Sequence, residues 1–297
     1  FMLLFLAPKG RKHLAGGVSP RKGLCSIEPQ RGERLPGLSF APMAPLPESE
    51  VLLTAGGSAK RSYVRDLFTA IAPRYDFLNH LLSLNIDRRW RKAAVARLGW
   101  EANPRGTYLD LCAGTMDLAA LLAGRPAFRG SVVGADFAVP MLARGRGKAA
   151  RTVPVAADAL ALPFPDTSFD GAMVGFGVRN LTDLDAGLAE AARVLKRGAR
   201  FVVLELATPL FAPMRAAYLL YFRRVLPVVG RLVSKHTDAY SYLPESVLAF
   251  PDPDAFATRL TSAGFRDVRV TYLHPYPADV GYQRLTGGIA ALHYGAR

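Results

Sequence analysis

The sequence predicts an α/β fold built on a doubly wound parallel sheet. Three observations carry that expectation. β-like runs alternate with apolar helical patterns from residue 107 to about 207. The first run ends in a small-residue turn, LDLCAGTMDLA at 109–119, and leads straight into a helix. The second run ends in an acid, Asp136, about twenty positions further on, where nucleotide-type folds place a ribose-binding carboxylate.

Taken in order, residues 1–60 differ in composition from the rest. They are rich in Pro, Gly, Arg and Ser and lack helical or strand periodicity, so they are expected to be disordered. Residues 1–27 hold Lys and Arg, with no acid, which reads either as an organellar transit segment or as an extension upstream of a start at Met43. A single catalytic domain is expected over 61–297. From Ser62, Val64, Leu67, Phe68, Ile71 and Ala72 share one helical face. The stretch 73–91 continues as a packed helical pair or as a lid carrying Tyr75 and Asn79 over a pocket.

The core follows. Strands are expected at 107–112, 131–135, 153–157, 169–174 and 201–206, with helices at 117–123, 140–150 and 183–195 and Gly198 as the last helix stop. Residues 213–233 mix Tyr218, Leu219, Phe222 and Val225 with Arg215, Arg223, Arg224 and Arg231, a pattern suited to a membrane-interface helix or to a core or dimer helix. A helix at 253–263, a strand at 268–273 and a strand from Ile289 to His293 close the chain as an antiparallel extension of the sheet.

Composition narrows the function classes. The 38 Lys and Arg against 24 Asp and Glu give a net charge of +14. Such an excess fits a polyanion, an anionic membrane or a basic proteome. No basic stripe with interleaved aromatics and no zinc-finger or RNA-binding motif is present, so no nucleic-acid partner is expected. Cys25 and Cys112 form no disulfide framework and no metal-ligand spacing, and no metal site is expected. No apolar run approaches the roughly 18 residues of a membrane span.

The turn at 109–119 offers one of the glycines that a pyrophosphate loop needs, which disfavours a dinucleotide. An adenosyl sulfonium carries no phosphate. Asp110 and Asp117 suit its ammonium, Asp136 its ribose, and Asp158 with Ala159 its adenine. The core Lys and Arg lie elsewhere in the sequence, where they would not repel the sulfonium. Asp117 alone is equally a first-turn acid favoured by the helix dipole. Four features at successive strand ends make S-adenosylmethionine the expected ligand.

From Ser62 to the end the chain resembles the ubiquinone and menaquinone biosynthesis C-methyltransferase family. The likeness rests on RYDFLN at 74–79, RRWR at 88–91, the 109–119 turn, and ALPFPDTSFD at 161–170. It continues in GFGVRNLTD at 175–183, RVLKRG at 193–198, DAYSYLPES at 238–246, AGF at 263–265 and LTGGIAALH at 285–293. The LPFPD and SFD segments are common among methyltransferases, whereas the combination of the later motifs is specific. The resemblance implies a class I S-adenosylmethionine-dependent methyltransferase, a Rossmann-like sheet with an N-terminal helical lid and antiparallel C-terminal strands. It implies methyl transfer to a ring carbon of a polyprenylated quinol, a demethylmenaquinol, slightly preferred, or a methoxybenzoquinol. Thr115, Asp136, Asp158, Ala159 and Gly175 are then donor contacts, with Asp110, Gly114 and Asp117 in the same loop, while Tyr75, Arg179 and Asn180 face the ring. Arg179 would stabilise the phenolate that makes the ring carbon nucleophilic; its alternative is a surface ion pair with Asp183.

A lipid substrate implies work at a membrane surface: cytoplasmic and peripheral at the inner membrane, or organellar if residues 1–60 are a transit segment. A homodimer or a quinone-synthesis assembly is the expected company. Two competing readings are a non-catalytic adenosyl-site partner in such an assembly and a methyltransferase of a soluble phenol. Met116 stands where the family has a glycine; it either crowds the donor or, in ordinary first-turn helix, points into the core. The stretch 273–281 reads as an insertion, and Arg284 stands where the family has asparagine.

Overall fold

The computed structural model describes residues 57–83, 85–209, 211–225, 238–273 and 289–297. Expectations for residues 1–56, for 226–237 and for the 274–288 stretch with Arg284 and most of the LTGG motif fall outside them. The first helix, α1 (Gly57–Ile71), starts ahead of the expected domain boundary at 60/61. Its Lys60 is buried and donates to the Leu181 carbonyl at 2.9 Å, which ties that turn to the core. Val64 and Leu67 are buried, as the helical spacing anticipates. Two further helices follow, α2 (Tyr75–Leu82) and α3 (Asp87–Arg97).

Seven strands form one sheet: β1 (Thr107–Leu111), β2 (Ser131–Asp136), β3 (Thr152–Ala156), β4 (Phe169–Gly175), β5 (Leu195–Leu206), β6 (Arg266–Leu273) and β7 (Ala290–Ala296). Their order is β3-β2-β1-β4-β5-β7-β6. The first five run parallel, and β7 is antiparallel to both β5 and β6. Register explains the site. Leu111 pairs with Ala135 and with Val174, Asp136 with Ala156, and Gly175 with Leu204. One residue beyond these pairs, Cys112, Asp136, Ala157, Gly175 and Glu205 share one edge, the C-terminal edge where doubly wound sheets bind ligands.

The connecting helices are α4 (Asp117–Ala123), α5 (Val139–Gly145) and α6 (Leu184–Val194). Beyond β5 come α7 (Ala212–Leu220), which runs into a wider π turn at Tyr221–Val225, then α8 (Asp238–Ala249) and α9 (Pro253–Ser262). Two apolar layers sandwich the sheet. One centres on Leu111, Val174, Leu188, Phe201 and Phe265, the other on Trp90, Val95, Tyr108, Leu122 and Leu204.

Two expectations need correction. Gly198 does not stop a helix: α6 ends at Val194, and Gly198 has φ +78° inside the irregular start of β5, where pairing slips between Phe169 and Gly171. A left-handed glycine at a strand irregularity looks the same in sequence as one at a helix end. Helix α5 stops at Gly145 rather than 150. A Cβ there would lie 2.7 Å from the Thr115 carbonyl and 2.6 Å from Met116 Cγ, so the helix passes too close to the β1 loop to carry a side chain.

Candidate methyl-donor and substrate site

The loop after β1 reverses sharply. Cys112, Gly114 and Met116 all have positive φ (51°, 52° and 62°). Glycine takes that conformation freely, and Gly114 lies beside Met141 with little room to spare. Its N–H donates to Asp136 Oδ2 at 2.8 Å, while Oδ1 accepts from Ala138 N–H at 2.8 Å. Asp136 is buried, and burial pushes its carboxyl up against the opposing pull of the Ala138, Gly114 and Phe137 N–H groups. A carboxylate has about four lone-pair sites, so two backbone bonds leave it able to accept from a diol. Asp110 is more deeply placed: Oδ2 accepts from Ala119 N–H at 2.9 Å, and burial drives its carboxyl well up.

The cleft has two joined chambers. The larger, about 740 Å³ with its open mouth, is lined by Phe68, Met141, Asp136, Asp158, Ala159 and Gly175 among others. The smaller, about 320 Å³, is polar, with Arg91, Asp110, Thr115 and Asp117 around Gly114. Cys112, Gly114, Tyr75 and Gly175 line both. An apolar chamber with acids at its rim suits an adenosine, and a polar one suits an amino acid end.

The expectation that core cations stay away from this loop is corrected. Arg91 approaches Asp117 at 3.5 Å, and Lys148 bonds both Asp117 and Asp76 at 2.7 Å. Helix α3 brings Arg91 in, held by the buried Asp87 one turn earlier. Asp76 also accepts from Thr115 Oγ1 at 2.6 Å; burial raises its carboxyl, but the Lys148 and Thr115 hydrogen bonds win and hold it below its ordinary value. Thus Asp117, expected to meet an ammonium, already meets two cations, and Thr115 is oriented by the lid helix α2. At the other end, Arg61 of α1 pairs with Asp158 at 2.5 Å across the mouth.

On the ring side, Arg179 is neither exposed nor paired with Asp183. Asp183 caps α6 by accepting from Ala186 N–H at 3.0 Å. Arg179 sits in a 3-10 turn, Val178–Asn180, with its side chain 8% exposed, and donates to Glu205 Oε1 at 2.6 Å and to the Phe176 carbonyl at 2.5 Å. Burial opposes its charge, but Glu205 and the nearby tyrosine hydroxyls raise its pKa further. Asn180 accepts from the Tyr242 hydroxyl at 3.0 Å. Tyr75 stands between the two arginines: burial raises its hydroxyl, while a hydrogen bond with Asn79 and the charges of Arg91 and Arg179 pull it back. Asn79 supports Tyr75 and is not a lining residue of either chamber.

Met116 resolves into a third case. Its side chain is fully buried in the core, as one expectation had it, but its backbone is left-handed rather than ordinary helix. Glycine takes that conformation freely, which fits the glycine that the family resemblance implies at this position. The sequence reading also passed over Glu205, Asp76 and a role for Arg91. The signal for Glu205 was there, one acid at the end of an otherwise apolar parallel strand.

The strand order, the acid after β2 and the paired chambers define a class I S-adenosylmethionine-dependent methyltransferase. The model of the ubiE/COQ5 methyltransferase family matches residues 57–297, and the chain belongs to that family. It is 48% identical to a demethylmenaquinone methyltransferase of Thermus thermophilus, over 78% of this chain and 100% of that one. A ubiquinone/menaquinone biosynthesis C-methyltransferase of Geobacter sulfurreducens is 42% identical over 80% of this chain and 90% of its own. An S-adenosylmethionine-dependent methyltransferase from Thermotoga maritima shares the fold, with a TM-score of 0.52 at 17% identity, covering 78% of this chain and 98% of that one.

Proposed function

We propose that the protein methylates a ring carbon of a polyprenylated quinol with S-adenosylmethionine, demethylmenaquinol being the preferred substrate. The observation that carries this is the buried Arg179, which lines neither chamber itself but bonds the carbonyl of the lining residue Phe176 and adjoins Asn180, which with Tyr75 lines the larger chamber. A ring carbon attacks a methyl group only when the neighbouring hydroxyl gives up its proton. Arg179 holds a fixed positive charge toward the resulting oxyanion, where low dielectric makes it effective. Asn180 and Tyr75 orient the ring oxygens so that the carbon lies in line with the methyl. When bound, the donor supplies the methyl on a cationic sulfur. Asp136, Asp158 with Ala159, Gly114 and Gly175 hold its adenosine, and Thr115 and Asp110 its amino acid end. Asp117 contributes there by keeping Arg91 and Lys148 in place.

The names of both relatives support a quinone substrate, and the higher identity to the demethylmenaquinone enzyme supports the preference. A polyprenyl tail partitions into lipid, so the protein works peripherally at the inner membrane, on its cytoplasmic side. Exposed Phe211, just before α7, and Leu220 at its end, with Arg215 and Arg224, supply the mixed apolar and basic surface this needs. The same surface suits a second copy or another enzyme of quinone synthesis. The segment before the catalytic domain is an extension or an organellar address. Among the described residues, no helix is long and apolar enough to cross a membrane.

The test is transfer of radiolabelled methyl to demethylmenaquinol, to demethylmethoxybenzoquinol and to a tail-free quinol. Methylation of the tailed menaquinone precursor above the other two is the expected result. Equal turnover of the tail-free compound would favour a soluble phenol as substrate. Donor binding without any turnover would favour the non-catalytic reading.

A further inference from the structure

Glu205 is a carboxylate at the end of an apolar strand, 1% exposed. Oε1 accepts from Arg179 at 2.6 Å and from Leu206 N–H at 2.9 Å, while Oε2 faces the Arg179 N–H at 3.4 Å. Burying such a pair is costly, and apolar residues of the same volume would often pack as stably. Its presence here therefore points to a need for the charges themselves.

Arg179 by itself serves one half of the reaction and harms the other. A fixed cation stabilises an oxyanion on the ring, but it repels the sulfonium that must approach the same carbon. Cys112 lines both chambers where they join. Its thiol is pushed up chiefly by burial and then by four carboxylates, Asp136, Asp110, Glu205 and Asp158. Glu205 lines neither chamber itself, but it stands one residue beyond the Gly175–Leu204 pair, on the same sheet edge as Cys112 and Gly175, which line both.

We propose that Glu205 is a positioning and specificity-determining residue that cancels the charge of Arg179 toward the methyl donor, so that the cleft favours cationic S-adenosylmethionine over neutral S-adenosylhomocysteine. This rests on the reading of the cleft as the donor site. Without Glu205 the arginine would still meet the ring oxygen, but the spent product would compete with the donor.

Calorimetric titration of the whole chain with each ligand tests it, because the two differ by the methyl group and its charge. In Glu205→Gln, affinity for S-adenosylmethionine falls roughly tenfold, the size expected for one charge at intermediate distance and dielectric. Affinity for S-adenosylhomocysteine stays within about twofold, which also certifies a folded cleft. An unchanged ratio, or equal loss of both ligands in a protein with native circular dichroism, overturns the proposal. Arg179→Met breaks the same pair from the other side. A donor-to-product ratio that holds or rises there supports a charge effect, and one that falls as in Glu205→Gln overturns it. If Glu205→Gln does not fold, the Arg179→Met titration decides alone. Wild-type protein that binds neither ligand would refute the donor site itself, a separate failure.

Discussion

Two buried arginines pair with acids, Arg91 in the lining of the cleft and Arg179 next to the lining residue Asn180, yet they are built differently. Arg91 is anchored within its own helix by Asp87, one turn away, and reaches Asp117 across a helix junction. It lies in a web with Ser83, His80, Lys148 and Asp76, so its charge is shared among several groups. Arg179, in its 3-10 turn, pairs among the described residues with one acid, Glu205 on β5, 26 positions away. Its neighbours otherwise are hydroxyls, a carbonyl and an amide. The contrast separates two tasks. On the proposed reading, the networked cation shapes a pocket for binding, whereas the cation with a single counter-charge keeps a donor face for an oxyanion that exists only during reaction.

Breaking that contrast should show first at Arg179. Arg179→Ala should lower kcat about a thousandfold or more, since loss of an oxyanion donor typically costs 10²–10³ and the proton must also leave unaided. Donor binding measured by titration should persist; turnover equal to wild type would end the assignment. Arg91→Met should act mainly on the protein itself. It leaves Asp87 and Asp117 underpaired and should cost about 3–5 kcal/mol of stability in denaturant melts. Donor KM should rise more than kcat falls, and the reverse pattern would erase the distinction between the two arginines.

Smaller effects sharpen the picture around the loop they share. Met116→Gly should cost about 2–4 kcal/mol for the lost core side chain, partly offset by relief of a left-handed methionine backbone. Donor affinity should change little, because the side chain faces away from both chambers; a clear gain in affinity would show that it crowds them. Asp110→Asn should be the mildest. The folded carboxyl sits well above its ordinary value, so wild type is favoured below pH about 4 and loses that contribution as pH rises through the folded pKa. The asparagine variant keeps an acceptor for Ala119 N–H without the buried charge. Its melting temperature relative to wild type should therefore climb between pH 4 and pH 8, and a flat difference would mean that Asp110 is not the group titrating.

The same contrast decides what could be read from the sequence. The β1 turn, Asp136 and the alternation of strands and helices are local patterns, each legible because one stretch specifies it. Arg91 was visible within the RRWR motif, and its i, i+4 spacing from Asp87 could have announced a buried pair. Glu205 with Arg179, and Lys148 with Asp117, meet only after the sheet and helices assemble, and nothing near either partner names the other. Asp183 was the nearer candidate for Arg179, but it is occupied in capping α6. The antiparallel end of the sheet was legible in kind, although β7 runs on to Ala296 because it pairs with the whole of β5 from Arg200 to Leu206.

Met116 has a consequence that reaches beyond its own position. A methyl group added at Gly134 would fall 2.6 Å from Met116 Cε, and one at Gly145 2.6 Å from Met116 Cγ. The three sites therefore share one parcel of volume, and the acceptable residue at each depends on the other two. In the present background Gly134→Ala forces the Met116 terminus to shift, while in a Met116→Gly background it becomes a repair. The penalties should be strongly non-additive.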